Sequence, residues 1–261
     1  MCAHINAPRI HDESMKQTIS TEAAQATTST GVAPNGVSVD GAISRRVLVV
    51  DIGGTHVKVL LTGQRDPVRF DSGGDLSPEL MVRGVKDAIG ASIYDVVSIG
   101  FPSPVLRGRI LKEPFNLGRG WIDFDFAAAF GAPVRIMNDA MMQALGSYET
   151  GRMLFLGLGT GLGAAVIDDG CVMPLEIAHL SYRRRTYEDY LGARAMKRAG
   201  RAKWERRVHR IAEELCSAFV CETLVLGGGN AKLLRALPPR GRLGSNDNAF
   251  VGGFRMWTEV R

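Results

Sequence analysis

The sequence has few cysteines and no long apolar run. Its four cysteines among 261 residues are widely scattered, and none lies at a zinc-finger spacing from another cysteine or a histidine. A disulfide framework is therefore not predicted, and the pattern favours a reducing, cytoplasmic setting. No stretch approaches the roughly 18 apolar residues of a membrane span, and the first residues lack the apolar core of a signal peptide. We expect a soluble cytoplasmic protein without a membrane partner.

The first 44 residues lack a sustained apolar period and are rich in Ser, Thr, Ala, Gln, Asn and Gly. Such a segment cannot bury enough apolar surface to offset the entropy that is lost on ordering. A disordered tail is therefore predicted over residues 1–44. The tail also lacks the two amphipathic helices of a helix-turn-helix, so no nucleic-acid partner is expected.

The positive charge of the chain is concentrated in one segment. The net charge is +5, and basic side chains crowd residues 183–210, where acids are few. Such a run is usually the solvated face of helices, and the alternative is a docking surface for a polyanion. The basic residues are Arg183, Arg184, Arg185, Arg194, Lys197, Arg198, Arg201, Lys203, Arg206, Arg207 and Arg210.

The segment VLVVDIGGTHVKVLL, residues 47–61, predicts two strands that meet at Gly53 and Gly54. Successive free N–H groups in a glycine turn form a concave anion site, and phosphate is the usual guest. Asp51, at the end of the first strand, can hold a hydrated magnesium, while Thr55 adds a hydroxyl and Lys58 a cation. The alternative is a simple tight hairpin with Lys58 as an edge residue.

This strand, glycine turn and strand are repeated in the second half of the chain. An alignment without a gap places Gly159 against Gly53, and Gly157 and Ala164 against Asp51 and Lys58. Only the first half can therefore hold the metal. A third loop follows the apolar run at 223–227. The second loop consists of Gly159, Thr160 and Gly161, and the third of Gly228, Gly229 and Asn230.

The second glycine loop also satisfies the dinucleotide pattern G-x-G-x-x-A. That fingerprint requires a helix directly after the glycines, whereas residues 164–173 predict a strand with a turn at Asp169 and Gly170. The dehydrogenase interpretation is therefore rejected. The duplicated unit instead predicts two α/β lobes that face each other across a cleft, over residues 45–139 and 140–261.

Three polar side chains outside the loops are candidates for catalysis or substrate binding. Asp139 ends an apolar strand and opens a helix, where it can accept a proton as a general base, although Asn138 and Asp139 are also typical helix N-caps. Glu176 and His179 share one face if their segment is a helical turn, and both suit sugar hydroxyls. The alternative for His179 is a structural histidine.

Taken together, these motifs resemble those of the ROK family of bacterial sugar kinases (repressor, open reading frame, kinase). The match in order and approximate spacing covers residues 45–255. The resemblance implies an actin-like fold, with two ribonuclease-H-like lobes around a hinge. It also implies phosphoryl transfer to a hexose hydroxyl, typically O6 of glucose.

By this resemblance Asp139 is the catalytic base, and the first two glycine loops are the phosphate motifs. The third loop resembles the segment near the nucleotide base. The compact length is similar to the polyphosphate glucokinase branch, so the donor is ATP or polyphosphate, used with Mg²⁺. Family members are commonly dimers, which makes a homodimer an expectation. The residues that resemble the sugar contacts are Asn116, Asn138, Glu176 and His179.

Two positions depart from the family pattern. Ala178 replaces the usual glycine of E-x-G-H, and Ser103 stands where relatives have glycine. The cysteine-rich zinc motif after the histidine is absent, so no zinc is expected. The leading hypothesis is a glucokinase-like enzyme, and the alternatives are a catalytically lapsed sugar-binding or regulatory protein and a purely structural actin-like module.

Overall fold

The computed structural model describes residues 45–258, so the predicted tail lies outside the described residues. Within this range no helix is both long enough and apolar enough to cross a bilayer. The strands are β1 Val47–Ile52, β2 His56–Leu61, β3 Val68–Asp71, β4 Val96–Phe101, β5 Val105–Leu106, β6 Arg109–Ile110, β7 Val134–Asn138, β8 Arg152–Leu158, β9 Leu162–Asp168, β10 Cys171–Pro174, β11 Ser181–Tyr182, β12 Arg185–Thr186, β13 Thr223–Gly227 and β14 Gly241–Leu243.

The helices pack around two five-stranded sheets. A 3₁₀ turn at Ala231–Leu233 follows the third glycine loop. The α-helices are α1 Pro78–Ile89, α2 Phe126–Phe130, α3 Asp139–Ser147, α4 Tyr187–Leu191, α5 Ala193–Ala199, α6 Arg201–Ala218 and α7 Asn248–Arg255.

The first sheet has the strand order β3-β2-β1-β4-β7. Strand β1 pairs with β2 in antiparallel fashion and with β4 in parallel fashion, and β4 pairs in parallel with β7. Every residue of β1 and β4 is buried, as expected for central strands that are covered on both faces. Helix α1 covers one face, and it begins after the N-cap Ser77 with Pro78 in its first turn.

The second sheet repeats this connectivity, with the order β10-β9-β8-β13-β14. Strand β8 pairs antiparallel with β9 and parallel with β13, which confirms the duplicated unit. Asp169 and Gly170 have φ values of 46° and 80°, so the predicted turn between β9 and β10 is confirmed. A strand, and not a helix, therefore follows the second glycine loop.

Helices α3 and α7 share one apolar cluster with residues of both sheets, including Val49 of the first and Phe155 of the second. The two helices cross closely because glycines face the partner backbone. A Cβ added at Gly146 would lie 1.8 Å from the carbonyl oxygen of Asn248, and one at Gly252 would lie 1.8 Å from that of Met142. Any side chain at either glycine would separate the helices.

Helix α7 comes from the end of the chain but is bonded to the first sheet. The buried Ser98 hydroxyl of β4 donates to the carbonyl of Gly253 over 2.6 Å and accepts from the Trp257 indole nitrogen over 2.9 Å. Arg135 of β7 donates to the carbonyl of Met256. These bonds fix the last helix against the first sheet.

Candidate active site

The parallel strands β1, β4 and β7 place polar groups at one edge of the first sheet. Asp51 lies near the end of β1, opposite Gly100 of β4. A Cβ at Gly100 would lie 3.5 Å from Asp51 Oδ1 and 2.3 Å from Met142 Cε, so a methyl group there would require the Met142 side chain of α3 to shift. Asn138 ends β7, and Asp139 is the first residue of α3. The carboxyl ends of parallel strands are where α/β folds place their ligands.

The Asp139 carboxyl group is partly buried and carries an elevated pKa. Burial is the main cause, and the negative charges of Asp51 and Glu176 contribute, so that the pKa is raised to about 7. The N–H of Ala140 donates to Asp139 Oδ1 over 2.8 Å and opposes part of this shift. The three carboxyl groups thus form one electrostatic cluster, to which both halves of the chain contribute.

Asp51 is 8% exposed, and its Oδ2 lies 3.7 Å from the Nζ of Lys58 on β2. Burial raises the pKa of Asp51, while the Lys58 charge lowers it. Among residues 45–258 no three His, Cys, Asp or Glu side chains gather into a metal-binding group. Magnesium, however, keeps several waters and is usually bound through one or two carboxylates together with substrate phosphates. The Asp51 carboxylate fits that mode of binding.

Asn138 is the N-cap of α3, which confirms the capping alternative for this residue. Its Oδ1 accepts from the N–H groups of Ala140 and Met141, and its Nδ2 donates to the carbonyls of Phe101 and Ser103. The amide thus joins helix α3 to the loop after β4. Its hydrogen-bonding capacity is used by backbone groups, and a contact with sugar stays a prediction.

The first glycine loop lies beside the exposed Asn116. A Cβ at Gly54 would come 3.5 Å from Asn116 Nδ2, so a predicted sugar contact and a predicted phosphate loop are neighbours. The N–H of Gly53 donates to the carbonyl of His56 over 3.0 Å, and Thr55 at the tip is exposed. Neither glycine has a positive φ, so close approach explains these glycines better than left-handed geometry does.

The second and third glycine loops are bonded to each other. Asn230 Nδ2 donates to the carbonyl of Gly159 over 2.9 Å, and its backbone N–H donates to the carbonyl of Leu158. Gly228 has a φ of 79°, and a Cβ there would lie 2.5 Å from the Leu158 oxygen. Thr160, at the tip, is exposed. Gly229 and Asn230 therefore follow a turn that only glycine can form this close to the second loop.

The segment of Glu176 and His179 is not helical. Residues 175–177 lie outside any helix or strand, and a turn follows in which the N–H of Leu180 donates to the carbonyl of Ile177 over 3.1 Å. Glu176 and His179 are both exposed, so a histidine satisfied within the core is not observed. Ala178 is buried in the core of the second sheet, where its methyl group adds to that packing.

Two glutamates that order the site loops were missed by sequence reasoning. Glu113 accepts from the N–H groups of Gly120 and Trp121 and so holds the loop that carries Asn116. Glu188 Oε2 accepts from the N–H of Leu162 over 3.2 Å, beneath the second glycine loop. The sequence signal that could have identified them is an acidic residue close to a loop, because the backbone N–H groups of a loop need acceptors.

Paired sheets of equal connectivity, with acids and glycine loops from both halves, define the actin-like two-lobed fold of the sugar kinases. Residues 47–174 match the model described as the ROK family, so this region belongs to that family and the resemblance drawn from the motifs is confirmed. The chain is 25% identical over 225 aligned residues to a polyphosphate glucokinase from Mycobacterium tuberculosis, covering 77% of this chain and 84% of that protein.

Two solved structures show the same fold. The inorganic polyphosphate/ATP-glucomannokinase from Arthrobacter sp. strain KM aligns with a TM-score of 0.66 and 24% identity, over 80% of this chain and 97% of that one. A ROK family transcriptional regulator, homologous to the E. coli MLC protein, aligns with a TM-score of 0.59 and 15% identity, over 82% of this chain and 78% of that one. Enzymes and regulators therefore share this architecture, and the site residues must decide between them.

Proposed function

We propose that this protein is a hexose kinase that transfers a phosphoryl group from ATP or polyphosphate to the 6-hydroxyl of glucose. One observation carries the proposal: Asp139, with a pKa raised to about 7, lies within the field of Asp51 from one half and Glu176 from the other. A general base works best when its pKa is near the working pH. A purely structural module has no use for such a cluster.

In the proposed reaction the Asp139 carboxylate accepts the proton of the sugar hydroxyl. A bond forms between that oxygen and the terminal phosphorus of the donor, while the bond from phosphorus to the bridging oxygen breaks and its electron pair stays on the shortened donor. Asn138 positions Asp139 by capping α3 and fixes the loop at Phe101 and Ser103. Asn116, Glu176 and His179 are the proposed partners of the sugar hydroxyls.

The donor is held in this proposal by the two hairpin loops. Gly53, Gly54 and Thr55 face it from the first half, and Lys58 adds a cation. Asp51 would hold magnesium, which neutralises charge on the donor phosphates when bound. The second and third loops, joined by Asn230, receive the phosphates from the other half. These assignments follow the family resemblance, and the loop geometry is compatible with them.

The test is a coupled kinase assay with glucose and each donor, comparing the parental protein with Asp139→Asn. We expect a loss of turnover of about 10²–10⁴-fold, since that is the usual contribution of a general base. The asparagine keeps the size of the side chain, and circular dichroism verifies the fold. Parental turnover by a folded Asp139→Asn protein would refute the assignment.

A second candidate function is a catalytically lapsed sugar-binding or regulatory protein. The observation in its favour is that backbone groups already bond the amide of Asn138, which weakens the case for one predicted sugar contact. Calorimetry distinguishes the two functions. Glucose binding without turnover on ATP or on polyphosphate would favour the lapsed protein over the kinase.

A further inference from the structure

Helix α5 begins in contact with the second glycine loop. The N–H of Ala193 donates to the carbonyls of Gly159 and Thr160 over 3.1 and 3.3 Å. A Cβ at Gly192 would lie 3.0 Å from the Thr160 oxygen, so a larger residue would push the helix away from the loop. The helix therefore leads outward from the place where the proposed function puts the donor phosphates.

The outer face of α5 is basic. Arg194, Lys197 and Arg198 are exposed and follow the i, i+3, i+4 spacing of one helical face, while Ala195 is buried behind them. The charge continues into the first turn of α6. We call these residues the α5 basic stripe: Arg194, Lys197, Arg198, Arg201 and Lys203.

The positive charge of the stripe is balanced only in part by acids of the described chain. None of its five members forms a salt bridge there, and Arg198 donates to the carbonyl of Asp189. The charges of Arg198 and Arg201 contribute to the lowered pKa values of Asp189 and Glu205. The hydrogen bonds of these two acids go to the capping box of α4 and to two backbone N–H groups. A row of cations with this net excess attracts an external anion.

The shape of the stripe favours a linear inorganic polyanion. The seven residues of α5 extend about 10 Å at 1.5 Å per residue, which is a path along the surface and not a single pocket. Single-stranded nucleic acids are usually bound by cations combined with exposed aromatic rings for the bases. The nearest aromatic side chain on α4, Tyr190, is only partly exposed and lies 5.3 Å beneath the Arg207 guanidinium. A chain of phosphates needs no such rings.

We propose that the α5 basic stripe binds the distal units of a linear polyphosphate whose terminal phosphoryl group lies at the second glycine loop. This inference rests on the proposed function, because that function places the donor at the loop. It gives the basic run at 183–210 a role for part of its length. It also predicts that affinity rises with the chain length of the donor.

The experiment measures binding of long-chain polyphosphate and of tripolyphosphate to the full chain by calorimetry, together with glucose phosphorylation by each donor and by ATP. The variant Arg194→Ala/Lys197→Ala/Arg198→Ala removes three charges from the stripe. The matched control Arg65→Ala/Arg83→Ala/Lys86→Ala removes three exposed charges from the first half. The parental protein should bind the long chain more tightly than tripolyphosphate.

We expect the stripe variant to lose roughly tenfold in affinity for long polyphosphate, and to show a weaker salt dependence, because each exposed charge contributes modestly. Its affinity for tripolyphosphate and its KM for ATP should stay within about twofold of the parental values, and the control variant should match the parental protein throughout. Equal affinity of parental and stripe variant for the long chain would overturn the inference and leave the kinase proposal intact.

Loss of long-chain binding in the stripe variant of a protein that shows no turnover would support the stripe and refute the kinase. Parental binding that does not depend on the chain length of polyphosphate would overturn the stripe. Single-stranded DNA is the competing class of polyanion. If it displaced long polyphosphate at equal charge concentration and bound more tightly, the assignment of polyphosphate would also be wrong.

Discussion

The two glycine hairpins share their topology but differ in length. In the first, Ile52 pairs with Val57, which leaves four residues between the paired positions. In the second, Leu158 pairs with Leu162, which leaves three. The second turn is therefore tighter by one residue, although the two sequences align without a gap.

This difference changes what faces the cleft. Asp51 pairs with Lys58 across the first hairpin, whereas Gly157 pairs with Gly163 across the second. The alignment had placed Ala164 at the position of Lys58, which is wrong by one residue because of the shorter loop. A Cβ at Gly163 would lie 2.6 Å from the Cβ of Ala140, so glycine admits the helix that begins with Asp139. The first hairpin therefore places two charged side chains opposite each other, whereas the second leaves space for helix α3.

The strongest test of this asymmetry is Asp51→Asn. We expect kcat/KM for glucose to fall about 10²–10³-fold, since loss of a metal ligand costs several kcal/mol of transition-state stabilisation. The pH midpoint of the remaining activity should also move down, because the negative charge of Asp51 raises the pKa of Asp139. The matched change Gly157→Ala should alter kcat/KM less than about threefold. An equal fall in kcat/KM in both variants would show that the two hairpins do not differ in this way.

The second test concerns the helix that the second hairpin admits. The pKa of Asp139 in the folded protein, about 7, lies well above the usual pKa of an aspartate, so its ionisation opposes folding. The penalty is absent below about pH 4, grows up to about pH 7 and is constant above. Asp139→Asn should therefore stabilise the protein by about 3 kcal/mol at pH 8, less than the full shift implies because the group is partly exposed.

Urea unfolding at pH 5 and pH 8 measures this effect, and the gain from Asp139→Asn should be larger at pH 8. Asp95→Asn is the control of opposite sign, because the hydrogen bonds and charge of Arg46 lower the pKa of Asp95 to about 2. That substitution should destabilise the protein at both pH values. A gain from Asp139→Asn that did not change with pH would contradict the raised pKa.

The third test fills the space at the second hairpin. Gly163→Ala places a methyl group against Ala140, and we expect the free energy of unfolding to fall by about 2 kcal/mol, as for an overpacked core. Arg69→Ala, on the edge strand β3 beside the first hairpin, should change it by less than about 0.5 kcal/mol because the side chain is exposed. The double variant Gly163→Ala/Ala140→Gly should recover part of the loss, and no recovery would mean that α3 is not the obstacle.

The smallest expected effect concerns the fourth strand of each sheet. Ser98 of β4 occupies the position that Val225 occupies on β13, since Val49 pairs with Ser98 and Phe155 with Val225. Ser98→Ala removes one partner from the buried Gly253 carbonyl and one from the partly buried Trp257 indole, so we expect a loss of about 1 kcal/mol in urea unfolding. The exposed Ser181→Ala is the control. If both variants were equally stable, α7 would not depend on this hydroxyl.

Much of the fold was predictable because local patterns encode it. The apolar runs that became β1, β4, β7 and β8 are continuous, and the turn at Asp169 and Gly170 has the residues that a left-handed turn requires. Asp139 at the junction of a strand and a helix was predictable for the same reason. The duplication was visible as a repeat of residue type.

The features that could not be predicted depend on contacts between segments that are distant in the sequence. The offset at Gly163 follows from the packing of α3, and the loop contacts of Glu113 and Glu188 depend on backbone donors that no local pattern identifies. The condition of a helical turn at Glu176 and His179 is not met, because the segment has no regular secondary structure before the turn at Ala178. Side chains that organise loops are harder to predict than side chains that end strands.

The attachment of α7 to the first sheet has a consequence for the order of folding. Ser98 and Gly253 are 155 positions apart, so the cover of one apolar face of the first sheet, begun by α3, is completed only after α7 has been synthesised. Contacts between segments this distant in sequence slow folding and leave an intermediate whose exposed apolar surface favours aggregation. A chain shortened before residue 248 should for this reason require chaperones or accumulate as aggregate, even though Asp51, Asp139 and Glu176 would all be present.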